Sequence, residues 1–296
     1  DYKKKYHAVV RKFQNNNFLS VVGAPESVMS KCSKVLENGK YEKLTQEKRV
    51  KLEQEFFNLA RQGLRVVAFA VNENLKNTDS MNIPDLQDLV FGGFFGMKDA
   101  LRVEVRDSVE KVRRAGMRVV MITGDHVLTA EAIGKEAGIW KQGDTIITGE
   151  EIESLSEELL IKKLSKTTIF ARVTPEHKFR IIEAFKKTGE VVAMTGDGVN
   201  DAPSLVAADL GVAMGKIGTE VAKEASDIVL LDDNFEGIVS AAEEGRSIYK
   251  TIKKVILYLF STSMAEIIVI VAAVFSGFPL LFLATQIIWL NFVTDG

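Results

Sequence analysis

Residues 194–203 restrict the possible folds of this chain more than any other segment. They read Met-Thr-Gly-Asp-Gly-Val-Asn-Asp-Ala-Pro and continue the apolar run 191–194, which is typical of a buried strand in a parallel sheet. Asp197 and Asp201 therefore follow the carboxyl end of a strand, where α/β proteins bind their ligands. Carboxylate oxygens suit Mg²⁺, and the glycines allow backbone N–H groups to approach a phosphate. The alternative is an ordinary turn rich in Asp and Gly.

Apolar runs of strand length alternate with helical patterns from about residue 91 to residue 233. This alternation predicts an α/β fold, a doubly wound parallel sheet with ligands at the carboxyl ends of its strands. An amphipathic helix is predicted over residues 103–115, ended by Gly116. The predicted strands, of which the last two are short and buried, cover residues 91–97, 118–122, 168–173, 191–194, 210–215 and 228–231.

A second turn in this region also suits a phosphate. Thr123 and Gly124 follow a predicted strand and precede a predicted helix over residues 127–138. A hydroxyl and a backbone N–H in that position can hold phosphoryl oxygens at a helix N-terminus. Asp125 has two interpretations, as part of this site or as the N-cap of the helix.

Lys178 lies in the first turn of a helix that is predicted to start at Thr174-Pro175. A cation there opposes the helix dipole, and a bound phosphoryl group would compensate for this. His177, directly before it, is interpreted as a structural rather than a catalytic residue. The sequence offers no His or Cys cluster suited to a transition metal.

The first 90 residues have a mixed pattern. Strands are predicted over residues 19–22 and 65–71, a short helix from Pro25, and a long helix over residues 45–62. The single cysteine, Cys32, excludes an internal disulfide and fits a reducing compartment. The net charge of −2 gives no indication of a nucleic-acid partner.

Charged residues are spread through the first 254 residues and almost disappear afterwards. The apolar run 255–275 has the length of a membrane span, and the basic residues before it place its start on the cytoplasmic side. A turn at residues 277–279 and a second apolar run, 280–293, complete a predicted transmembrane helical hairpin.

Several polar side chains interrupt these apolar runs. Glu266 lies near the middle of the first span, where an unpartnered carboxylate is costly, so it is a candidate functional residue. Asn291, Thr294 and Asp295 share one face of the second helix at spacings of three and four. Such oxygen donors suit a hard cation. A polar network between helices, without ion transport, is the alternative.

With its Thr-Gly-Asp-Gly-Val-Asn-Asp-Ala-Pro segment, the chain resembles the P-type ATPases, the cation pumps that form an aspartyl-phosphate, and within them the calcium-pump branch. The resemblance covers nearly the whole chain. It implies part of an α+β nucleotide-binding domain (residues 1–90), a haloacid-dehalogenase-like phosphorylation domain (91–245), and a stalk with two transmembrane helices, the second truncated (246–296). The family's phosphorylation motif, Asp-Lys-Thr-Gly-Thr, does not occur in this sequence. The chain is therefore interpreted as a fragment whose partners include the remainder of the pump.

The resemblance also implies roles for individual residues. Asp197 would hold Mg²⁺, with Asn200 and Asp201 ordering its loop, and Lys178 and Thr123 would bind the transferring phosphoryl group. ATP would contact Arg65 and Arg172, as well as Gly124 and Asp125, and Lys5 is a looser match to a nucleotide lysine. The cation ligands implied are Glu266, Asn291, Thr294 and Asp295. The sequence departs from the family at Val22, where a lysine is expected, and at Ser263, where calcium pumps have an asparagine.

The function implied is ATP-driven cation transport across a lipid bilayer, with Ca²⁺ as the expected cation, ATP and Mg²⁺ as cofactors, and cytoplasmic soluble domains. Transport of Na⁺/K⁺ or H⁺ by a pump of the same family is the first alternative. A membrane-anchored phosphatase with the same core is the second, and it would not require Glu266 or Asp295. A module that binds nucleotide or Mg²⁺ without catalysis is the third.

Overall fold

A computed structural model describes residues 5–13, 16–72, 86–279 and 282–295 of the chain. The chain divides into two units between Asn234 and Phe235. The first unit contains a mixed sheet and a series of parallel strands with helices, and the second contains two helices. The predicted α/β class with parallel strands is therefore confirmed.

The first sheet has six strands in the order β1-β2-β5-β6-β3-β4. Neighbouring strands are antiparallel except for β3 and β6, which are parallel. The strands are β1 Tyr6–Phe13, β2 Asn16–Gly23, β3 Cys32–Glu37, β4 Lys40–Lys43, β5 Arg65–Asn72 and β6 Leu89–Met97, and the helices are α1 Pro25–Met29 and α2 Gln46–Arg61.

One face of this sheet is covered and the other is open, as the period of two along a strand requires. On β5, Val66, Ala68 and Ala70 are buried, whereas the alternate residues Arg65, Val67 and Phe69 are exposed or half-buried. The Thr45 hydroxyl accepts a hydrogen bond from Lys48 N at 3.4 Å and caps α2, the long helix predicted from the sequence. The strands predicted at residues 19–22 and 65–71 are confirmed.

The sequence prediction for residues 91–97 was wrong about the sheet to which they belong. This strand, β6, lies inside the first sheet, paired with β5 and β3. It does not open the parallel series. An apolar run of this length predicts a strand but contains no information on which neighbour the strand pairs with.

The parallel strands form two groups of three, in the orders β7-β9-β8 and β10-β11-β12. The strands are β7 Met121–Ile122, β8 Thr145–Thr148, β9 Thr167–Ala171, β10 Ala193–Gly196, β11 Leu210–Met214 and β12 Ile228–Leu230. The helices between them are α3 Val105–Arg114, α4 Val127–Glu136, α5 Gly149–Ser154, α6 Glu157–Leu164, α7 Pro175–Lys187, α8 Ala202–Ala207 and α9 Glu220–Glu224.

Three of these strands differ from their predictions in length or burial. The strand β10 begins only at Ala193, and Val191 before it is 87% exposed. The strand β7 is reduced to Met121 and Ile122. The strand β12 was predicted to be buried, but Ile228 and Val229 are each 37% exposed because this strand lies at the edge of its group.

In the second unit, α10 (Glu236–Phe275) is one continuous helix of 40 residues. At ~1.5 Å per residue it is about 60 Å long. It is the one helix of the described residues that is long and apolar enough to cross a membrane. The other helix, α11 (Ala284–Asp295), is apolar but has 12 residues. The predicted second span began at residue 280, and residues 280–281 lie outside the described residues.

Candidate functional site

A buried ion pair lies at the carboxyl end of β10. Lys178 Nζ is 2.5 Å from Asp201 Oδ1, and 18% of the lysine side chain and 9% of the aspartate side chain are exposed. Lys178 comes from the first turn of α7, whose N-cap is Thr174 and whose first residue is Pro175, as predicted. The anion that compensates for a cation at this helix N-terminus is therefore a carboxylate of the protein.

The second carboxylate oxygen of Asp201 shapes the loop after β10. Asp201 Oδ2 accepts hydrogen bonds from the backbone N–H groups of Asp197 at 3.3 Å and Gly198 at 3.2 Å. A Cβ added to Gly196 would lie 2.6 Å from Asp201 Cβ, so glycine is required for this close approach. The loop presents the Asp197 side chain to solvent, and Asn200 beside it is also exposed. The two carboxylates predicted from the sequence thus have different surroundings.

The turn after β7 forms its own hydrogen bonds. The Thr123 hydroxyl donates to Asp125 Oδ2 at 3.0 Å and accepts from Asp125 N at 3.1 Å. The backbone of Thr123 is joined to β9 through Phe170 and to the following residues through Val173. Gly124 is exposed. The N-cap of α4 is His126, whose Nδ1 accepts from Leu128 N at 3.2 Å, so the interpretation of Asp125 as that cap was wrong.

Arg172 directly follows β9 with a φ of +53°, a left-handed conformation that is unusual for a residue with a side chain. Its N–H donates to the Asp125 carbonyl oxygen at 3.0 Å. Its guanidinium forms an ion pair with Glu26 of α1, a residue of the first sheet region (β1–β6 with α1 and α2) that sequence reasoning did not assign to the site. No local signal could have found this contact, because the two residues are far apart in the sequence.

Two further cations of the first sheet region form ion pairs with the parallel region, which comprises β7–β12 and α3–α9. Arg65 Nε is 3.7 Å from Asp125 Oδ1, and 73% of the arginine side chain is exposed. Lys5 Nζ is 3.9 Å from Glu150 Oε1, and both side chains are largely exposed. Val22, at the position where the family has a lysine, is 38% exposed on the open face of the first sheet.

His126 is a second residue that sequence reasoning missed. Its ring lies edge-on to Phe56 of α2 at 5.0 Å between centroids. Burial, with a smaller effect of the Arg172 charge, lowers the pKa of this histidine below its usual value. His177 is buried, accepts from Thr174 N at 3.1 Å and contacts Glu153 at 3.2 Å. These contacts agree with its interpretation as a structural residue.

The donor set of this site suits Mg²⁺ and phosphate rather than a transition metal. Within the described ranges, no group of three or more His, Cys, Asp or Glu side chains is arranged to hold a metal ion. Mg²⁺ needs only one or two protein carboxylates together with phosphate oxygens and water. Asp197, exposed at the end of a parallel strand, fits that requirement, and the guanidinium and ammonium groups of the arginines and Lys178 are of the kind that bind phosphates.

The predicted cation ligands lie in the second unit. Glu266 is half-buried in α10, and Asn291 is half-buried in α11. The backbones of Thr294 and Asp295 belong to α11, but their side chains lie outside the part of the chain that is described. Of the four predicted ligands, the structure therefore describes the side chains of Glu266 and Asn291.

Comparisons with known proteins bear on the family of this chain. Residues 1–104 match the family model described as P-type ATPase, cytoplasmic domain N. The whole chain is 43% identical over 296 residues to Calcium-transporting ATPase 1 of Bacillus cereus, of which it covers 33%. Human Calcium-transporting ATPase type 2C member 1 is 40% identical over 274 residues, which is 93% of this chain and 29% of the relative.

An α/β protein with a buried Lys–Asp pair and an exposed aspartate at the ends of parallel strands is thus similar in sequence, along its whole length, to known ion-transporting ATPases. The resemblance to the P-type ATPases predicted from the motifs is thereby confirmed, since the domain N model matches residues 1–104 and the similarity to these relatives extends over the whole chain. The relatives are named as calcium-transporting ATPases, including Calcium-transporting ATPase 3 of Arabidopsis thaliana at 42% identity. The chain spans about a third of the length of the curated relatives that it matches.

Proposed function

We propose that this chain is the part of an ATP-driven calcium pump that contacts nucleotide, takes part in phosphoryl transfer and begins the ion pathway. The observation that carries this proposal is the loop after β10, where the buried Lys178–Asp201 pair holds the backbone that presents Asp197. The identities of 40–43% to calcium-transporting ATPases of bacteria support Ca²⁺ as the transported ion.

In the whole enzyme, an aspartate outside this chain would attack the γ-phosphate of ATP and give an aspartyl-phosphate. Such a transfer needs mainly positioning and charge neutralisation. Lys178 would bind the phosphoryl group, with the Thr123 hydroxyl as a second contact once it leaves Asp125. Asp197 would hold Mg²⁺, which supplies further positive charge at the phosphates when bound. Asp201 and Asn200 would keep the loop in place.

Nucleotide would lie between the first sheet region and the parallel region. Arg65 and Arg172 approach this junction from opposite sides, and each is within ion-pair distance of a carboxylate there. The Gly124 backbone and Asp125 would complete the contacts to ATP. Lys5, whose side chain is largely exposed, would add a cation at the edge of the site.

We further propose the finer architecture of the family. The two groups of parallel strands would form one doubly wound, haloacid-dehalogenase-like domain, following a partial nucleotide-binding domain. Because β6 pairs within the first sheet, the boundary between the two domains, expected from the sequence at residue 90, would instead lie just after this strand, which ends at Met97. Residues 246–296 would form a stalk and a transmembrane hairpin. The positive φ of Gly277, +74°, is consistent with a turn there.

The transported ion would bind to oxygen donors of the hairpin, namely Glu266, Asn291, Thr294 and Asp295. The long apolar helix α10 supports a membrane location. The basic residues at its first half support a cytoplasmic position of the soluble domains. Ser263, in place of the family asparagine, leaves one fewer amide ligand on this helix.

The experiment is ATPase activity of the full-length ATPase that contains this chain, measured in membranes and titrated with Ca²⁺, beside Glu266→Gln and Asp295→Asn. Activation at micromolar Ca²⁺ that both substitutions weaken is the expected result. Glu243→Gln, on the basic, non-apolar part of α10, is a matched control that should leave the Ca²⁺ response unchanged. ATPase activity that does not respond to Ca²⁺ but depends on another cation would identify that cation as the transported ion. Activity indifferent to every cation would favour the phosphatase.

A further inference from the structure

Two ion pairs cross the junction between the first sheet region and the parallel region in opposite directions. Arg172, of the parallel region, is paired with Glu26 on α1. Arg65, of the first sheet, is paired with Asp125 after β7. The two pairs differ in burial, because 20% of the Arg172 side chain is exposed against 73% of the Arg65 side chain. The Arg172–Glu26 pair is therefore the better shielded contact.

The backbone of Arg172 is fixed on both sides. Its N–H donates to the Asp125 carbonyl oxygen at 3.0 Å, and Val173 N donates to the Thr123 carbonyl oxygen at 3.2 Å. Gly149 lies so close to the Arg172 carbonyl oxygen that a Cβ there would overlap with it. A left-handed conformation of a residue with a side chain persists only when its surroundings hold it. These surroundings aim the Arg172 side chain across the junction towards α1.

The backbone of Glu26 is also held firmly in place. The helix α1 follows β2 almost directly, and Pro25, Val28 and Met29 bury their side chains in the core of the first sheet region. The Glu26 side chain, by contrast, is 43% exposed. Because the Glu26 carboxylate is exposed, it is not needed for the packing of the core. The position of Glu26 therefore points to a role at the junction.

From this geometry we infer that Glu26 is a positioning residue for nucleotide binding: its carboxylate orients the Arg172 guanidinium and holds the two regions in the arrangement that receives ATP. This inference rests on the proposed function. A guanidinium has five N–H donors in a planar fork, and Glu26 engages Nη2. The other donors stay oriented for a nucleotide oxygen. A side chain ordered before binding loses less conformational entropy when the ligand arrives.

Electrostatic competition alone predicts the opposite effect of Glu26, and the test distinguishes the two effects. A carboxylate beside Arg172 competes with nucleotide oxygens for the same cation. If competition dominated, removing the charge would tighten nucleotide binding. If orientation dominates, as we infer, removing it weakens binding, because Arg172 must then be ordered by the nucleotide alone. The sign of the change in KM for ATP separates the two.

The test is steady-state ATPase activity of the full-length ATPase in membranes at saturating Ca²⁺, with ATP titrated. For Glu26→Gln, we expect KM for ATP to rise roughly three- to tenfold while kcat changes less than about twofold, since saturating nucleotide restores the arrangement. Glu26→Asp keeps the charge and should lie between Gln and the parent. The matched control is Glu47→Gln on α2, which removes a carboxylate from an exposed helix pair with Lys51 and should leave KM unchanged.

A double variant tests whether Glu26 acts through Arg172. In Arg172→Lys, the planar fork is lost, so adding Glu26→Gln should raise KM little further. Equal factors from Glu26→Gln in both backgrounds would overturn the inference, as would an unchanged or lowered KM in the single variant. If Glu26→Gln lowers the thermal inactivation temperature, the KM of the Glu26→Asp variant for ATP decides instead. A KM above that of the parent supports the inference, and an unchanged or lowered KM overturns it. A parent enzyme without Ca²⁺-stimulated ATPase activity would instead refute the proposed function, and the inference with it.

Discussion

Lys178 Nζ and Asp201 Oδ1 are 2.5 Å apart in a largely buried pair that joins the first turn of α7 to the loop after β10. The same carboxylate accepts two backbone N–H groups of that loop. Asp201 therefore connects α7, through the ion pair with Lys178, to the loop after β10. Asp197, four residues earlier in the sequence, is exposed. This difference separates a residue that supports the loop from one that is available to a ligand.

Asp201→Asn should destabilise the protein. The substitution leaves Lys178 without its charged partner in a shielded place, and breaking such a pair typically costs about 3–5 kcal/mol when it is fully buried. Because 18% of the Lys178 side chain is exposed, we expect about 2–4 kcal/mol here. A lower thermal inactivation temperature in membranes would be the measured result.

The control for this prediction is Glu110→Gln on α3. It removes a carboxylate from an exposed i,i+4 pair with Arg114, and such pairs contribute about 0–1 kcal/mol. If Asp201→Asn and Glu110→Gln had the same inactivation temperature, the Lys178–Asp201 pair would not stabilise the loop.

Asp197→Asn should abolish phosphoenzyme formation without lowering stability. The side chain is exposed, so the substitution leaves the packing unchanged, but it removes a negative charge from the position proposed to hold Mg²⁺. We expect the yield of phosphoenzyme from labelled ATP to fall by at least about 100-fold. Normal phosphorylation of this variant would refute the assignment of Asp197, and a lowered inactivation temperature would show that its role is structural.

The sequence predicted the members of this site better than their partners. Lys178, Asp201 and Thr123 were each selected by their place after a strand or at a helix start, and these local positions are confirmed. The ion pair of Lys178 with a protein carboxylate depends on tertiary packing, because it follows from how α7 and the loop after β10 lie together. The bond of Thr123 to Asp125, by contrast, is local to one turn, since the two residues are two positions apart.

Pairing between strands was the other feature that sequence could not provide. The run 91–97 was correctly predicted as a strand, yet it belongs to the first sheet because it pairs with β5. The strands β1, β3 and β4 carry charged or polar residues over much of their length and gave no apolar run to predict them from. Arg172 and Glu26 approach each other only through the fold.

Gly196→Ala should be strongly destabilising, whereas Gly245→Ala should not. A Cβ at Gly196 would lie 2.6 Å from Asp201 Cβ, so the loop must shift. We expect a cost of about 1–3 kcal/mol, typical of overpacking, together with reduced ATPase activity. A Cβ at Gly245 meets nothing within 4 Å, and alanine is preferred in a helix by about 1 kcal/mol. Thermal inactivation compares the two, and equal effects would contradict the proposed closeness of Gly196 and Asp201.

Cys32 should resist alkylation in the folded protein. Its side chain is buried, and burial, slightly offset by the charge of Arg49, raises its pKa to about 12. Because only the thiolate reacts, we expect modification by iodoacetamide at pH 8 to be at least about 100-fold slower in the folded protein than in 8 M urea. Mass spectrometry of the peptide that contains Cys32 measures both rates. Rapid alkylation in the absence of urea would show that this part of the first sheet opens readily.

The stability of the first unit should fall when the pH drops below the usual pKa of histidine, about 6.5. Burial of His126, with a smaller effect of Arg172, lowers its pKa in the folded state. In the window between the lowered pKa and the usual one, the unfolded chain binds more protons than the folded chain, so stability rises with pH there and is lost as pH falls. Protonation of Nδ1 would also remove the cap on Leu128 N.

His126→Asn isolates this effect, because asparagine is a good N-cap that does not titrate. We expect the thermal inactivation temperature of the parent to decrease between pH 7.5 and pH 5 more steeply than that of His126→Asn. His7→Asn, which replaces an exposed histidine on β1, is the matched control and should retain the slope of the parent. Identical slopes in the parent and His126→Asn would show that His126 does not set the pH dependence.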